Sequence, residues 1–201
     1  MYFIESIKCL NGQLQHLALH QARLAHTRLQ VLGLVDPIDL ATALKVPSFA
    51  QVGLWKCRVI YAHQIETIEF EPYQMKAIKQ LVLVEDDQID YQFKYLDRAR
   101  LQAHVSALAP SAETDILIVK NGLITDSSYA NVLFYDGCRW VTPATPLLAG
   151  VKRAYYLQKR LVMEADIAPL DLRRYKKVAL INALRDLDSL YLLDIKQILG
   201  H

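Results

Sequence analysis

Lys94 stands between Phe93 and Tyr95, in a stretch poor in other amines. An ammonium group packed among aromatic rings loses solvation, and a lysine that sheds its charge can act as a nucleophile or a general base. The plainer alternative is a solvated lysine at a helix start. Gly150 directly precedes a periodic segment. A helix beginning there offers backbone N–H groups with no carbonyl one turn back, together with the positive end of its dipole. That arrangement suits an anion, most often a phosphate; a plain β-meander with a tight loop is the alternative. Arg23 lies on a helical segment, where a lone arginine reads as an exposed side chain. The acidic turn Glu85-Asp86-Asp87 has no histidine or further carboxylate spaced with it, so it reads as a solvated loop and not as a metal site.

The elements that must position these groups follow from hydrophobic period and turn chemistry. Two apolar runs flank Asn121-Gly122 and two more flank Asp136-Gly137, the strongest short-range signals of β-hairpins. Asn11-Gly12 marks a third hairpin. Leu17, Leu24, Leu29 and Leu32 recur on one face and predict a helix over 17–32. Asp36 or Asp39 caps a short helix over 40–44. Residues 55–62 and 65–70 alternate as strands about His63-Gln64. Arg58 and Tyr61 lie on the first of these, and a period of two puts them on opposite faces. A strand is expected over 77–84 and a helix over 97–108, closed by Ala109-Pro110-Ser111. A helix is expected over 151–165, a turn of helix over 172–175 and a buried strand over 178–182. A strand over 190–193 and a terminal turn over 195–199 complete the chain.

At 201 residues with a 53% apolar share, the chain can build a substantial core in one domain or two small ones. Its 23 Lys and Arg against 21 Asp and Glu leave a net charge of +2 with the basic residues scattered, so nothing points to nucleic acid. No apolar run approaches the roughly 20 residues of a membrane span, and the N-terminus lacks the layout of a signal peptide. Cys9, Cys57 and Cys138 are far apart and form no C-x-x-C pair, which argues against a disulfide framework and a zinc site. A reducing, cytoplasmic setting is expected, with no metal.

The string I-T-D-S-S-Y-A-N-V-L-F-Y-D-G, then W-V-T-P, then L-L-A-G-V-K-R, resembles the signature of the class IV aminotransferases. These are the pyridoxal-phosphate enzymes of fold type IV: branched-chain and D-amino acid aminotransferases and aminodeoxychorismate lyase. The resemblance extends to Phe3 with Glu5-Ser6-Ile7-Lys8, to His20-Gln21-Ala22-Arg23-Leu24, to Lys94 with Asp97-Arg98, and to Asn182-Ala183-Leu184. It implies an α+β fold of two domains, like that of D-amino acid aminotransferase. A small α/β domain over 1–92, trimmed at its N-terminus, would precede a larger cofactor-binding domain over 93–201.

In that family the arginine of H-x-x-R-L reaches the cofactor phosphate, and Arg23 matches it. Lys94 occupies the place of the Schiff-base lysine, with Tyr95 where serine or threonine is usual. Asp126 stands where an acidic residue meets the pyridine nitrogen of pyridoxal 5'-phosphate, a methylene shorter than the usual glutamate. Ser128 and Asn131 match phosphate-side positions. Val151 and Lys152 keep the backbone donors of the phosphate loop, while the family's threonine hydroxyl is lost at Lys152. That side chain either adds charge or points to solvent. Arg58 and Tyr61 are candidates for the substrate carboxylate, one of them at most facing the site. His20 is expected to pack or cap. The implied activity is transamination between a small amino acid and a keto acid through a homodimer. A lyase of the same fold that eliminates pyruvate is the alternative, and a family member without turnover is the second.

Overall fold

The computed structural model describes residues 1–108, 113–187 and 191–200. The helix end expected at Ala109-Pro110-Ser111 and the strand start expected at Leu190 lie outside the described residues. The chain divides into two compact units. One comprises Met1–Gln74 with Phe93–Asp97, the other Met75–Gln92 with Arg98–His201. The division expected at 92/93 therefore differs in two respects. Residues 75–92 go with the larger unit, because the strand they contain pairs only with strands later in the chain. Phe93–Asp97 goes with the smaller, because it docks along the first strand.

In the first unit, β1 (Phe3–Leu10) and β2 (Gln13–Leu14) form the hairpin over Asn11-Gly12, and α1 (Leu17–Leu32) covers the sheet. Then come α2 (Leu40–Ala43), β3 (Leu54–Tyr61) and β4 (Ile65–Pro72). The sheet order is β2-β1-β3-β4. Asp39 caps α2, its carboxylate accepting from the Ala41 amide at 2.9 Å. Alternation along β1 turns Phe3, Glu5, Ile7 and Cys9 inward, and all four are fully buried. Phe3 and Ile7 share a core with Leu24 of α1 and the inward residues Cys57, Val59 and Tyr61 of β3. Phe93–Asp97 extends this sheet. The Ile4 amide donates to the Lys94 carbonyl at 2.9 Å, the Leu96 amide donates to the Tyr2 carbonyl at 2.9 Å, and Tyr95 bridges to Phe3.

The second unit contains β5 (Gln80–Glu85), α3 (Ala99–Ala107), β6 (Thr114–Lys120), β7 (Leu123–Ser127), β8 (Asn131–Tyr135) and β9 (Trp140–Pro143). These are followed by α4 (Val151–Gln158), β10 (Val162–Ala165), β11 (Lys177–Ile181), β12 (Leu192–Asp194) and β13 (Ile198–Leu199). The nine-stranded sheet runs β10-β9-β8-β7-β6-β5-β13, with β11 beside β8 and β12 beside β11. Asn121 and Gly122 turn the β6–β7 hairpin with φ of 52° and 75°, the left-handed pair that a two-residue hairpin turn requires. β8 and β11 are central and bury both faces. Val132, Phe134, Val178 and Leu180 enter one core, and Leu133, Ala179 and Ile181 the other. This is why both strands read as unbroken apolar runs rather than alternating ones.

Two expected elements are corrected. The helix expected over 151–165 ends at Gln158, and Arg160 takes a left-handed φ of 54°. The remainder is β10, parallel to β9 with Val162 opposite Trp140. Val162 is buried while Leu161 is 55% exposed, so the apolar stripe does not continue around a helix. The terminal turn expected over 195–199 is a 3-10 turn at Ile195–Gln197 followed by β13, which pairs in parallel with β5. Among the described residues no helix is long and apolar enough to cross a membrane.

Candidate active site

The chemistry-bearing residues fall into two groups, one in each unit. In the first unit the centre is Glu5, inward on β1 and fully buried. Its carboxylate accepts from Arg23 Nε at 2.8 Å and Nη2 at 2.5 Å, and from His20 Nδ1 at 2.5 Å. Residues 20 and 23 are one helical turn apart on α1, so both reach the same strand residue. Burial alone would push the Glu5 carboxyl up. The charge of Arg23 and the hydrogen bonds from His20 and Arg23 outweigh burial and hold it at about 2. For His20, burial depresses the imidazole pKa and Glu5 pulls it back, while Arg23 and Lys94 depress it further; the net direction is down. A carboxylate only accepts, so Nδ1 carries the proton of the neutral ring. His20 Nε2 is then a bare acceptor, buried without a hydrogen-bond partner. Lys94 thus lies close enough to this cluster to act on His20.

Arg58 and Tyr61 separate as their parity requires. Arg58 faces outward and pairs with Glu69 across the β3–β4 ladder at 3.2 Å. Tyr61 lies in the core against Phe3, ring centroids 5.7 Å apart, and burial pushes its phenol well above the ordinary range.

In the second unit the centre is Asp126, on β7 directly opposite Asn131 of β8. Asn131 Nδ2 donates to Asp126 Oδ1 at 2.7 Å and to the Leu148 carbonyl at 2.9 Å, and the Leu148 amide donates to Asp126 Oδ2 at 2.9 Å. Burial pushes the Asp126 carboxyl up to about 6, against the pull of the Leu148 amide, Asn131 and the more distant Arg153. Among the described residues Asp126 has neutral hydrogen-bond donors and no ion pair. The turn between Asp126 and Asn131 is held from several sides. The Ser127 hydroxyl accepts from the Ala130 amide at 3.1 Å, Arg98 donates to the Ser128 carbonyl, and Arg185 donates to the Tyr129 hydroxyl at 3.3 Å. Ser127 and Ser128 lie against Asp115, whose carboxyl is raised by burial and drawn back by their hydroxyls.

Helix α4 begins at Val151 with Gly150 as its N-cap, so its first amides have no carbonyl one turn back. The Lys152 side chain does not point to solvent. It is 2% exposed and its ammonium bonds Asp186. Gly150 has an ordinary backbone conformation, and its need is for space: a Cβ there would lie 1.8 Å from Asn131 Oδ1. Gly150→Ala should therefore drive Asn131 off Asp126 and destabilise the second unit by about 1–3 kcal/mol, as for overpacking of a filled core. Urea unfolding of wild type and variant checks this.

Glu5, Arg98 and Arg185 hold these groups together and were assigned no role from sequence alone. For Glu5 a signal existed, since it shares the parity of Phe3, Ile7 and Cys9. Arg98 stands in the matched string with Lys94 and Asp97, which marks the position but not its partner, and for Arg185, whose partners include Tyr129 and the Lys76 carbonyl, there is no signal.

The model of the family Amino-transferase class IV matches residues 57–188. A Haemophilus influenzae protein of uncharacterized function is 32% identical over 190 residues, covering 93% of this chain and all of the relative. A solved Haemophilus somnus structure, provisionally assigned as a 4-amino-4-deoxychorismate lyase, aligns with a TM-score of 0.85 and 30% identity over 92% of this chain and 97% of that one. A fold IV transaminase from Curtobacterium pusillum aligns with a TM-score of 0.75 and 20% identity, over 92% of this chain and 76% of that one. The α+β architecture is thus that of the fold type IV pyridoxal-phosphate enzymes. The chain belongs to the class IV aminotransferase family, whose members are pyridoxal-phosphate-dependent aminotransferases and lyases.

Proposed function

We propose that this chain binds pyridoxal 5'-phosphate and transfers an amino group between a small amino acid and a keto acid, as a cytoplasmic homodimer. The observation that supports this best is Asp126: a buried carboxylate, held by two neutral donors, with no cation of its own among the described residues. A protonated ring nitrogen is the partner that such a group lacks. When bound, the cofactor would supply an electron sink for charge developing on the substrate's α-carbon.

The chain's own residues then take distinct tasks. Lys94 would hold the cofactor through its amine and, as a general base, would move the substrate's α-proton. Asp126 would face the ring nitrogen and favour its protonated form. Arg23 holds the phosphate, with the plane of its guanidinium fixed by two bonds to Glu5. The backbone amides of Val151 and Lys152 add donors and the helix dipole. With the Lys152 ammonium on Asp186, the lost threonine is not replaced by a charge on the phosphate. Ser128 and Asn131 support the loop, and Arg58, the one of the strand pair that faces out of the core, is the candidate for the substrate carboxylate.

Pyruvate elimination from an aminodeoxychorismate-type substrate is a second reading, favoured by the 30% identity to the Haemophilus somnus protein over nearly the whole of both chains. The test is the visible spectrum of purified protein with added pyridoxal phosphate, before and after borohydride, followed by peptide mapping. A reducible band mapped to Lys94 is expected. Small amino acids should then convert the bound cofactor to its amine form. Pyruvate release from the chorismate-derived substrate, without that conversion, would favour the lyase. Absence of any band at saturating cofactor would overturn both and leave the family member without turnover.

A further inference from the structure

We propose that Asn131 is the positioning residue of the Asp126 carboxylate, tying it to the Leu148 peptide so that one fixed edge remains for the cofactor's ring nitrogen. This rests on the cofactor assignment above, and it places Asn131 on the carboxylate rather than on the phosphate.

Three hydrogen bonds close a ring. Asn131 Nδ2 reaches Asp126 Oδ1 and the Leu148 carbonyl, while the Leu148 amide reaches Asp126 Oδ2. Both groups facing the Asn131 side-chain nitrogen are acceptors, so the amide can take only one orientation. The backbone builds the same arrangement, because Asp126 and Asn131 are the register pair at which β7 meets β8. The far side of Asn131 is fixed as well, since its Oδ1 packs where any side chain at residue 150 would stand. Asp126 and Asn131 are each about 5% exposed, so water does not compete for these bonds. Each carboxylate oxygen thus spends one acceptor position on the ring. The positions that remain are those a ligand N–H would meet. The charged side chain that acts on Asp126 from α4 is Arg153, and its guanidinium is itself bonded to the Pro143 carbonyl at 2.8 Å and to Glu164 at 2.5 Å.

The test is aspartate-labelled 13C NMR of the cofactor-free protein, with the Asp126 signal identified by its loss in Asp126→Asn. In Asn131→Ala the Asp126 midpoint should rise by about 1–2 pH units, as for loss of one hydrogen bond to a charged group. Gly150→Ala leaves Asn131 chemically intact but displaced, and should move the midpoint the same way. That gives a second variant if the first folds poorly. An Asp126 midpoint unmoved in both variants would overturn the positioning role. A midpoint that moves in a protein taking up no pyridoxal phosphate would establish the tie and overturn its purpose. Uptake of the cofactor with no shift would leave the cofactor assignment standing without it.

Discussion

Lys94→Ala is expected to abolish covalent capture of pyridoxal phosphate by borohydride and to lower turnover by at least about 10²–10⁴, the range for loss of a positioned general base. The variant should remain folded, for a local reason. The segment is docked by its backbone: the Lys94 carbonyl accepts from Ile4, the Leu96 amide donates to Tyr2, and Tyr95 rather than Lys94 packs its ring on Phe3, 5.5 Å between centroids. Truncation at Cβ leaves these contacts in place. An internal probe exists that does not depend on the cofactor. Lys94 is among the charges that depress the His20 imidazole, so its removal should raise the His20 pKa, readable by NMR of the ring. Lys94→Arg keeps a cation there without a primary amine, and should lose capture while leaving His20 closer to wild type. Adduct trapped in either variant would move the attachment to another lysine and sink the assignment.

Much of the scaffold around Lys94 was legible in advance. The Asn-Gly and Asp-Gly turns specify their hairpins by chain geometry, and the leucine period fixed α1 to its end residues. The stretch 159–165 was not legible. Lys159, Arg160, Leu161 and Val162 contain neither glycine nor proline, and their apolar spacing continues that of α4. The switch to β10 depends on pairing with β9, some twenty residues earlier in the chain. The compact units divide elsewhere than at 92/93 for a similar reason, since β5 pairs with β6 and with the terminal β13, and no local pattern reports such partners.

The sites divide along the same line. Placing Asp126 opposite Asn131 follows from a tight turn between two strands, and the inward parity of Glu5 can be read along β1. Asp186 as the partner of Lys152 is 34 residues away and could be found only in the fold.

Glu5→Gln should destabilise the first unit by about 3–5 kcal/mol, the usual result of removing one member of a buried ion pair while the other stays behind. Arg23 would lose the Glu5 carboxylate, and its guanidinium would lose the plane that two bonds now fix. The pH dependence separates this from a simple packing defect. The Glu5 carboxyl lies at about 2 when folded, against an ordinary 4.5, so its contribution is fully present above about pH 4.5 and is lost as pH falls toward 2. That interval corresponds to about 3 kcal/mol. Urea unfolding between pH 2 and 7 should show this acid loss in wild type, and in Glu5→Gln an acid loss smaller by about 3 kcal/mol, because Asp36, Asp39 and Glu71 are also held below their ordinary range and keep their share. Trp55 lies on β3 of the first unit and Trp140 on β9 of the second, so a Trp140→Phe background lets fluorescence follow the first unit alone. In the second unit the slope has the opposite sign. Asp126 is raised to about 6 from 3.8, so the cofactor-free unit loses stability as pH rises through that window, again by about 3 kcal/mol. Asp126→Asn should remove that loss, and a bound cation on the carboxylate should reverse it. If Glu5→Gln unfolds with the acid loss intact, the carboxylate that sets it is another one, and the Glu5–Arg23 pair does not hold the first unit together.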